Sequence, residues 1–291
     1  MNFKTLEFNL FMRRKMKEDL KIKIISNEMW KSLVDYLEVV ASTNKEIRTI
    51  YNRIGQDEDN LYYDLGDESY QSVKITPEGY EIINTPPSIF QRTDLDKPQI
   101  YPIERHDFDY WGTLSKFFNL RTEEELQLLG IWLICSFISG ISKPLLLFSG
   151  AFASGKSTAC SILQDIISPV IVRRSSFPRR VDDLVVRLTN ACLCSFDNCD
   201  KISTEASNMM CQSITEGSYE KRKLYTDREV VALPLKSMII MNSCESILEK
   251  PDILSRTLQF NLQQISADNL RGDISITQEF QTYKPYILDF I

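Results

Sequence analysis

Leu145-Leu146-Leu147-Phe148 runs without a polar break into Gly150-Ala151-Phe152-Ala153-Ser154-Gly155-Lys156-Ser157-Thr158, and this stretch decides the fold. A short, wholly apolar run after Pro144 reads as a strand buried on both faces, as in a parallel sheet covered by helices. The glycine-rich segment matches the G-x-x-x-x-G-K-[ST] pattern, and Thr158 to Ile167 has the composition of the helix that should follow. Glycines at 150 and 155 permit tight turns, so that backbone N–H groups and a helix N-terminus point at phosphate oxygens. Ala153, Ser154 and Thr158 complete the cradle. In that geometry Lys156 reaches the β and γ phosphates of a nucleoside triphosphate, and the Ser157 hydroxyl ligates Mg²⁺. A chance glycine-rich turn is the competing reading, and the strand before and the helix after argue against it.

Phosphoryl chemistry also needs a carboxylate on a neighbouring strand. Ala191-Cys192-Leu193-Cys194-Ser195-Phe196 is an apolar run closed by Asp197, which suits a buried strand presenting a Mg²⁺-associated carboxylate at its C-terminal edge. Taken without the phosphate loop, Asp197 would read as a turn former. A third such run, Ser237-Met238-Ile239-Ile240-Met241, ends in Asn242, the layout of a polar sensor beside the γ-phosphate and the attacking water; a plain Asn242-Ser243 turn competes. Asp252-Ile253-Leu254-Ser255-Arg256 precedes a further apolar run from Leu258 to Leu262. Arg256 is either an arginine finger inserted into a neighbouring subunit's site or a solvated surface arginine.

Around this core, apolar residues recur at helical spacing between Ser26 and Ile50 (Trp30, Leu33, Val34, Leu37, Val40), predicting an amphipathic helix. From Leu61 to Phe90 short β-like runs alternate with Gly66-Asp67 and Pro77-Glu78-Gly79 turns, predicting a small sheet. Arg92 to Glu104, with prolines among polar residues, reads as a linker, and a boundary is placed near Tyr110. Thr122 and Glu125 form a capping box ahead of Leu126 to Ile138, a helix apolar around most of its circumference and hence expected to be buried. The division that follows is 1–110 for a helical region plus small β subdomain, 111–262 for the ATPase core and 263–291 for the start of a lid. The last stretch, Ser275 to Ile291, is still apolar where it stops, which reads as a piece of a longer protein.

Composition narrows the chemistry. With 291 residues and 43% hydrophobic content the chain can bury a substantial core. Its 7 cysteines lack the paired spacing of a disulfide framework or a zinc ribbon, and the single histidine, His106, argues against histidine-dependent nucleophilic catalysis. The longest apolar run, Leu128 to Ile141, is shorter than the roughly 20 residues that span a bilayer. No secretion signal is read at the N-terminus. A net charge of −6 argues against a uniformly basic surface, leaving any nucleic-acid contact to local clusters.

The ordered set of phosphate loop, strand-end Asp197, strand-end Asn242 and downstream Arg256 resembles the core of an AAA+ ATPase. Asp197-Asn198-Cys199-Asp200-Lys201-Ile202 is similar to the D-E-F-D-K-M segment of minichromosome-maintenance helicases, and Ile253-Leu254-Ser255-Arg256 to their L-S-R-F finger motif. The stretch from Leu61 to Ile291 looks like the helicase module of phage and mobile-element replication proteins, minichromosome-maintenance-like or superfamily III-like and often fused to a primase-polymerase. Tyr63-Asp64-Leu65-Gly66-Asp67, Ile75-Thr76-Pro77-Glu78-Gly79, Phe196-Asp197-Asn198 and Arg222-Lys223-Leu224-Tyr225-Thr226-Asp227 carry that closer match. It implies an α/β P-loop NTPase with a central parallel sheet flanked by helices, ATP and Mg²⁺ as cofactors, a hexameric ring on single-stranded or forked DNA, an associated primase-polymerase and a cytoplasmic setting without membrane.

Asn198 departs from the pattern, standing where those helicases carry the glutamate that activates water. Asp200 or a glutamate elsewhere is then left to polarise the nucleophile, or hydrolysis is slow. The resemblance also implies a pore hairpin before the Asn242 strand, with Arg228 to Leu233 as one arm. Lys221, Arg222, Lys223 and Arg228 would contact DNA phosphates there, with Tyr219 or Tyr225 stacking on bases. Arg222 has a second reading, toward a neighbour's ATP, and the whole run a third, as a solvated loop. Arg173-Arg174 and Arg179-Arg180 form a second basic cluster open to the same question. Two rival functions stand beside the helicase: a P-loop kinase, and a nucleotide-bound oligomerisation scaffold for a primase.

Overall fold

The computed structural model describes residues 6–19, 21, 25–44, 48–222, 230–245 and 247–291. They belong to two compact units, Met1–Thr49 and Ile50–Ile291. The first contains α1 (Leu6–Asp19) and α2 (Asn27–Thr43). Ser26 caps α2 by accepting the Met29 N–H at 3.2 Å, which satisfies an otherwise orphan donor of the first turn. Trp30 and Val34, one turn apart, are its buried residues, and the Arg13 guanidinium lies 5.0 Å from the Trp30 ring centroid.

The second unit runs β1 (Ile50–Tyr51), β2 (Ile54–Gln56), β3 (Leu61–Asp64), β4 (Ser72–Thr76), β5 (Gly79–Ile83), β6 (Ile89–Phe90), α3 (Tyr110–Phe117), α4 (Glu123–Ser136), β7 (Leu145–Ser149) and α5 (Lys156–Ile167). It continues with β8 (Ser175–Ser176), α6 (Val181–Asn190), β9 (Leu193–Asp197), α7 (Thr204–Ile214), β10 (Ser218–Arg222), β11 (Val230–Pro234), β12 (Met238–Ser243), α8 (Pro251–Leu254), β13 (Thr257–Asn261) and α9 (Asp273–Phe290). Strands β13-β7-β12-β9-β8 form a five-stranded sheet in that order, every pairing parallel. This is the α/β architecture expected of a P-loop NTPase.

Side chains of β7 alternate between two cores, as strand geometry requires. Leu146 and Phe148 join the layer with α5, α4, α3 and α9, while Leu145 and Leu147 join the layer with α6 and α7. All four are fully buried, which is why the run has no polar position. Burying each contributes about 2 kcal/mol of transfer free energy. Strands β9 and β12 follow the same rule: Leu193 and Ile240 face the first layer, Phe196, Ile239 and Met241 the second.

The small sheet is antiparallel, in order β2-β3-β4-β5. Tyr63 and Val73 extend the first core, and the Tyr63 hydroxyl donates to the Ile167 carbonyl at 3.0 Å. The segment read as a linker is tied to this unit at several points. The Gln99 side chain donates to the Ile166 carbonyl at 2.8 Å, the Lys97 N–H reaches the Pro169 carbonyl at 2.9 Å, and Arg92 forms a bidentate pair with buried Asp64. Residues near Tyr110 thus lie inside the second compact unit.

Helix α4 differs from its expectation in burial, because Leu128 and Ile131 are exposed while Leu129, Trp132 and Leu133 pack inward. Thr122 is its N-cap, as expected, but the reciprocal bond of the box is shifted by one residue. Thr122 accepts the Glu125 N–H as a capping box requires, but Glu125 accepts the N–H of Arg121. Helix α9 lies against α3 and α5, with Phe280 edge-on to Phe117 at 5.4 Å. Among the described residues no helix is long and apolar enough to cross a membrane.

Candidate active site

Strand order places the chemistry. Because β12 lies between β7 and β9, the loop after β7 and Asp197 at the end of β9 are two strand spacings apart, roughly 10 Å, with the end of β12 between them. Pairing of Met241 with Phe196 and of Asn242 with Phe148 brings Asn242 to that gap.

The loop from Gly150 to Thr158 is held in its turn by backbone demands. Gly150 has φ +148° and Gly155 φ +86°, conformations that favour glycine, and a Cβ on Gly150 would stand 2.5 Å from the Leu262 carbonyl oxygen. Ala153 also has positive φ, at 57°. Its carbonyl accepts the Ile265 N–H at 3.0 Å, and Asn119 donates to the Ser154 carbonyl at 3.2 Å, so flanking segments clamp the loop. Lys156 is buried, its ammonium donating to the Gly150 and Ala151 carbonyls at 2.8 and 2.7 Å. Those carbonyls, with the Ser154 hydroxyl at 3.3 Å, satisfy the donors of the buried ammonium.

Ser157, Asp197 and Asn242 converge. The Ser157 hydroxyl donates to Asp197 Oδ1 at 2.8 Å, and the Asn242 amide donates to the same oxygen at 2.5 Å. Asn242 is fully buried; its side-chain oxygen accepts the Asn198 N–H at 2.9 Å, and its amide also lies 3.6 Å from the Cys160 sulfur. Burial pushes the Cys160 thiol up to about 12, so that sulfur stays neutral beside the carboxylate. Hydroxyl and carboxylate oxygens side by side make a donor set suited to a hard cation such as Mg²⁺, and the residues fit the ion that the phosphate loop calls for.

Asn198 adopts φ +51°, which asparagine tolerates, and its exposed side chain lines the cavity above the loop. Asp200 is exposed and does not line that cavity. Arg256 stands elsewhere. Its carbonyl accepts the Leu145 N–H at 2.9 Å, so it sits at the N-terminal end of the β7–β13 pair, while the phosphate loop leaves the C-terminal end. Across a strand of 5 residues the separation is about 16 Å. Its guanidinium holds Asp252 at 3.1 Å on the edge of the sheet.

The cavity, about 640 Å³, has walls that local sequence did not reveal. Phe117, Ile265, Leu270 and Ile276 supply apolar surface, and Lys116, Arg174, Arg271 and Asp273 supply charge. These residues come from segments far apart in sequence, so no local pattern marks them. Arg174 was legible only as half of a basic pair.

Strands β10 and β11 form the expected antiparallel hairpin, with Arg222 opposite Val230. Lys221 is an ion-pair partner of Asp182 at 2.8 Å, a contact that holds its ammonium above the ordinary lysine value. Lys223 and Arg228 lie outside the described residues, as does the side chain of Arg222. Of the second cluster, Arg173 pairs with buried Asp165 at 3.0 Å and Arg180 approaches Asp182 at 3.9 Å.

Among solved structures, the A form apo structure of the NrS-1 C terminal region is 16% identical with a TM-score of 0.51, covering 92% of this chain and 60% of that one. This chain therefore spans less than two thirds of that protein's resolved length. SCCmec type IV Cch, described as an active helicase, is 16% identical with a TM-score of 0.40 over 91% of this chain and 49% of that one. The X-ray structure of JCV helicase is 15% identical with a TM-score of 0.39 over 62% and 52%. No curated protein matches the sequence. A family model does, from residue 111 through the capped helix, the phosphate loop, Asp197, Asn242 and Arg256 to residue 291, and by that match the chain belongs to the actinomycete integrative conjugative element replication protein family.

Proposed function

We propose that this replication protein is an ATP-dependent DNA helicase motor, working in the cytoplasm as a ring, in which each ATP lies between the phosphate loop of one subunit and Arg256 of the next. The observation that carries the reading is the division of one phosphoryl-transfer set between opposite ends of a single sheet. Lys156, Ser157, Asp197 and Asn242 meet at the C-terminal end. Arg256 stands at the N-terminal end and on the edge, so any nucleotide it served would be a neighbouring subunit's. Head-to-tail repetition of such a contact builds a ring when the rotation between subunits closes.

Ser157 and Asp197 would hold Mg²⁺, which when bound neutralises charge on the phosphates. Lys156 would move from the Gly150 and Ala151 carbonyls to the β and γ phosphates. Asn198 lines the cavity with a side-chain oxygen able to accept a hydrogen bond from water. Because the transferred phosphoryl passes through a loose transition state, orienting the water matters more than deprotonating it, and a glutamine does this in other P-loop NTPases. An asparagine at position 198 is therefore compatible with turnover. The β10–β11 hairpin, with Lys221, Arg222, Lys223 and Arg228, would carry the DNA contacts, and a primase-polymerase would be its functional companion.

The test is a DNA-stimulated ATPase and strand-unwinding assay on the wild type, Lys156→Ala and Arg256→Ala. The expected result is single-stranded DNA stimulating phosphate release, with both variants inactive and Lys156→Ala alone losing nucleotide binding. Nucleotide-dependent oligomers without phosphate release, even with DNA, would favour the scaffold, a reading that the missing glutamate at position 198 keeps open. Release of ADP only with a small-molecule acceptor would favour a kinase.

A further inference from the structure

Arg173 and Arg174 are adjacent in sequence and separate in role. Arg173 is occupied by buried Asp165. Arg174 lines the nucleotide cavity beside Thr158, and its ion pair with Asp273 is stretched to 4.0 Å. Asp273, the first residue of α9, accepts the Thr158 hydroxyl at 2.8 Å through its other oxygen. A second, polar recess of about 290 Å³, lined by Ser161 and Arg173 among others, shares Thr158, Arg174 and Asp273 with the cavity.

We infer that Arg174 is a phosphate-binding residue of the nucleotide site, and that Asp273 is the resident anion a nucleotide phosphate displaces from it. The inference rests on reading the cavity as a nucleotide site. An arginine fork on the wall of a phosphate cavity, in loose contact with one carboxylate, has donors left for a better-placed anion. Successive side chains on a helix are rotated by about 100°. Ser157 turns its hydroxyl to Asp197, and Thr158 turns its own to Asp273 and hence toward Arg174. Arg174 therefore flanks the loop on a side away from the Ser157–Asp197 pair, and the backbone of such a loop cradles the α and β phosphates. Those phosphates are common to ATP and ADP. Asp273 opposes them, since a carboxylate at that point repels the incoming charge and must give up Arg174.

Titration calorimetry with MgATP and MgADP tests this on the full chain, using Arg174→Gln, Arg174→Lys and Asp273→Asn with Lys156→Ala as reference. Arg174→Gln should weaken both nucleotides by a similar factor, roughly tenfold. Arg174→Lys should fall between it and the wild type, and Asp273→Asn should tighten both. Should Arg174→Gln not fold, the Asp273→Asn result decides, because it leaves Arg174 in place. Wild-type affinity in Arg174→Gln would overturn the inference, as would a loss confined to ATP or weaker binding by Asp273→Asn. A wild type that binds neither nucleotide, or a Lys156→Ala that binds like the wild type, overturns the nucleotide reading itself and this inference with it.

Discussion

The side-chain amide of Asn242 donates to Asp197 Oδ1 at 2.5 Å while its oxygen accepts the Asn198 N–H at 2.9 Å. One fully buried residue thus fixes both the carboxylate beside Ser157 and the left-handed turn that carries Asn198 into the cavity. On the proposed function Asn242 would act through these neighbours, as a positioning residue. Partners that orient a metal-ligating carboxylate are worth about 10–100-fold in activity. Asn242→Ala should lower kcat for ATP hydrolysis by that factor while nucleotide affinity changes little. Steady-state kinetics beside calorimetry separates the two, and an unchanged kcat in a folded variant would remove Asn242 from this role.

Gly150 offers a test of the loop itself. A Cβ there would stand 2.5 Å from a backbone oxygen of Leu262, and the residue already has φ +148°. Backbone cannot yield as the end of a flexible side chain can. Gly150→Ala should cost about 1–3 kcal/mol of stability. Because the Gly150 carbonyl also receives Lys156, nucleotide affinity should fall together with the unfolding midpoint. Thermal unfolding and calorimetry on the same preparation check both, and a variant with unaltered midpoint would show that the loop has room there.

The parts of this site that were legible in the sequence are those written in strands. A run such as Leu145 to Phe148 has no polar position because both faces of its strand are covered, so its place in a parallel sheet follows from composition alone. Asp197 and Asn242 stand out because each ends such a run, and ends of parallel strands line up. Direction was not legible: that Asn242 turns to Asp197 depends on β12 lying between β7 and β9, a fact of strand order that periodicity does not encode. The same limit explains the segment from Arg92 to Glu104. Its prolines and polar residues read as a linker, yet Gln99 bonds to Ile166, a partner 67 positions away. Likewise the exposed side of α4, at Leu128 and Ile131, looks like core to any count of apolar residues.

Arg256 can be assigned to a neighbour's site by complementation. Its guanidinium holds Asp252 at 3.1 Å, and its backbone is about 16 Å of strand away from the phosphate loop of its own subunit. Arg256→Ala and Lys156→Ala should each be inactive as homo-oligomers. Mixed rings, however, contain some interfaces that pair an intact loop with an intact finger. Mixing the two variants should therefore restore part of the wild-type ATPase rate. Absence of any recovery in oligomers shown by native mass spectrometry to contain both subunits would refute a trans role.

Lys284 gives a pH dependence with a defined sign. It lies buried on α9 against α5, where Asp165 faces it with Arg173 and Arg53 nearby. Burial lowers its value from 10.5 to about 8, outweighing the attraction of Asp165. A lysine lowered in the fold is protonated more readily in the unfolded chain, and between about pH 8 and pH 10.5 the unfolded state therefore holds the extra proton. The contribution of this residue to stability is least favourable below pH 8 and improves as pH rises through that window. Other groups titrate in the same range, so the quantity to follow is the difference between the wild type and Lys284→Met. Urea midpoints measured from pH 7 to pH 10 should show the wild type gaining on the variant as pH rises. A difference that stays flat, or that moves the other way, would mean that Asp165 keeps Lys284 charged in the fold at a cost no greater than in the unfolded chain.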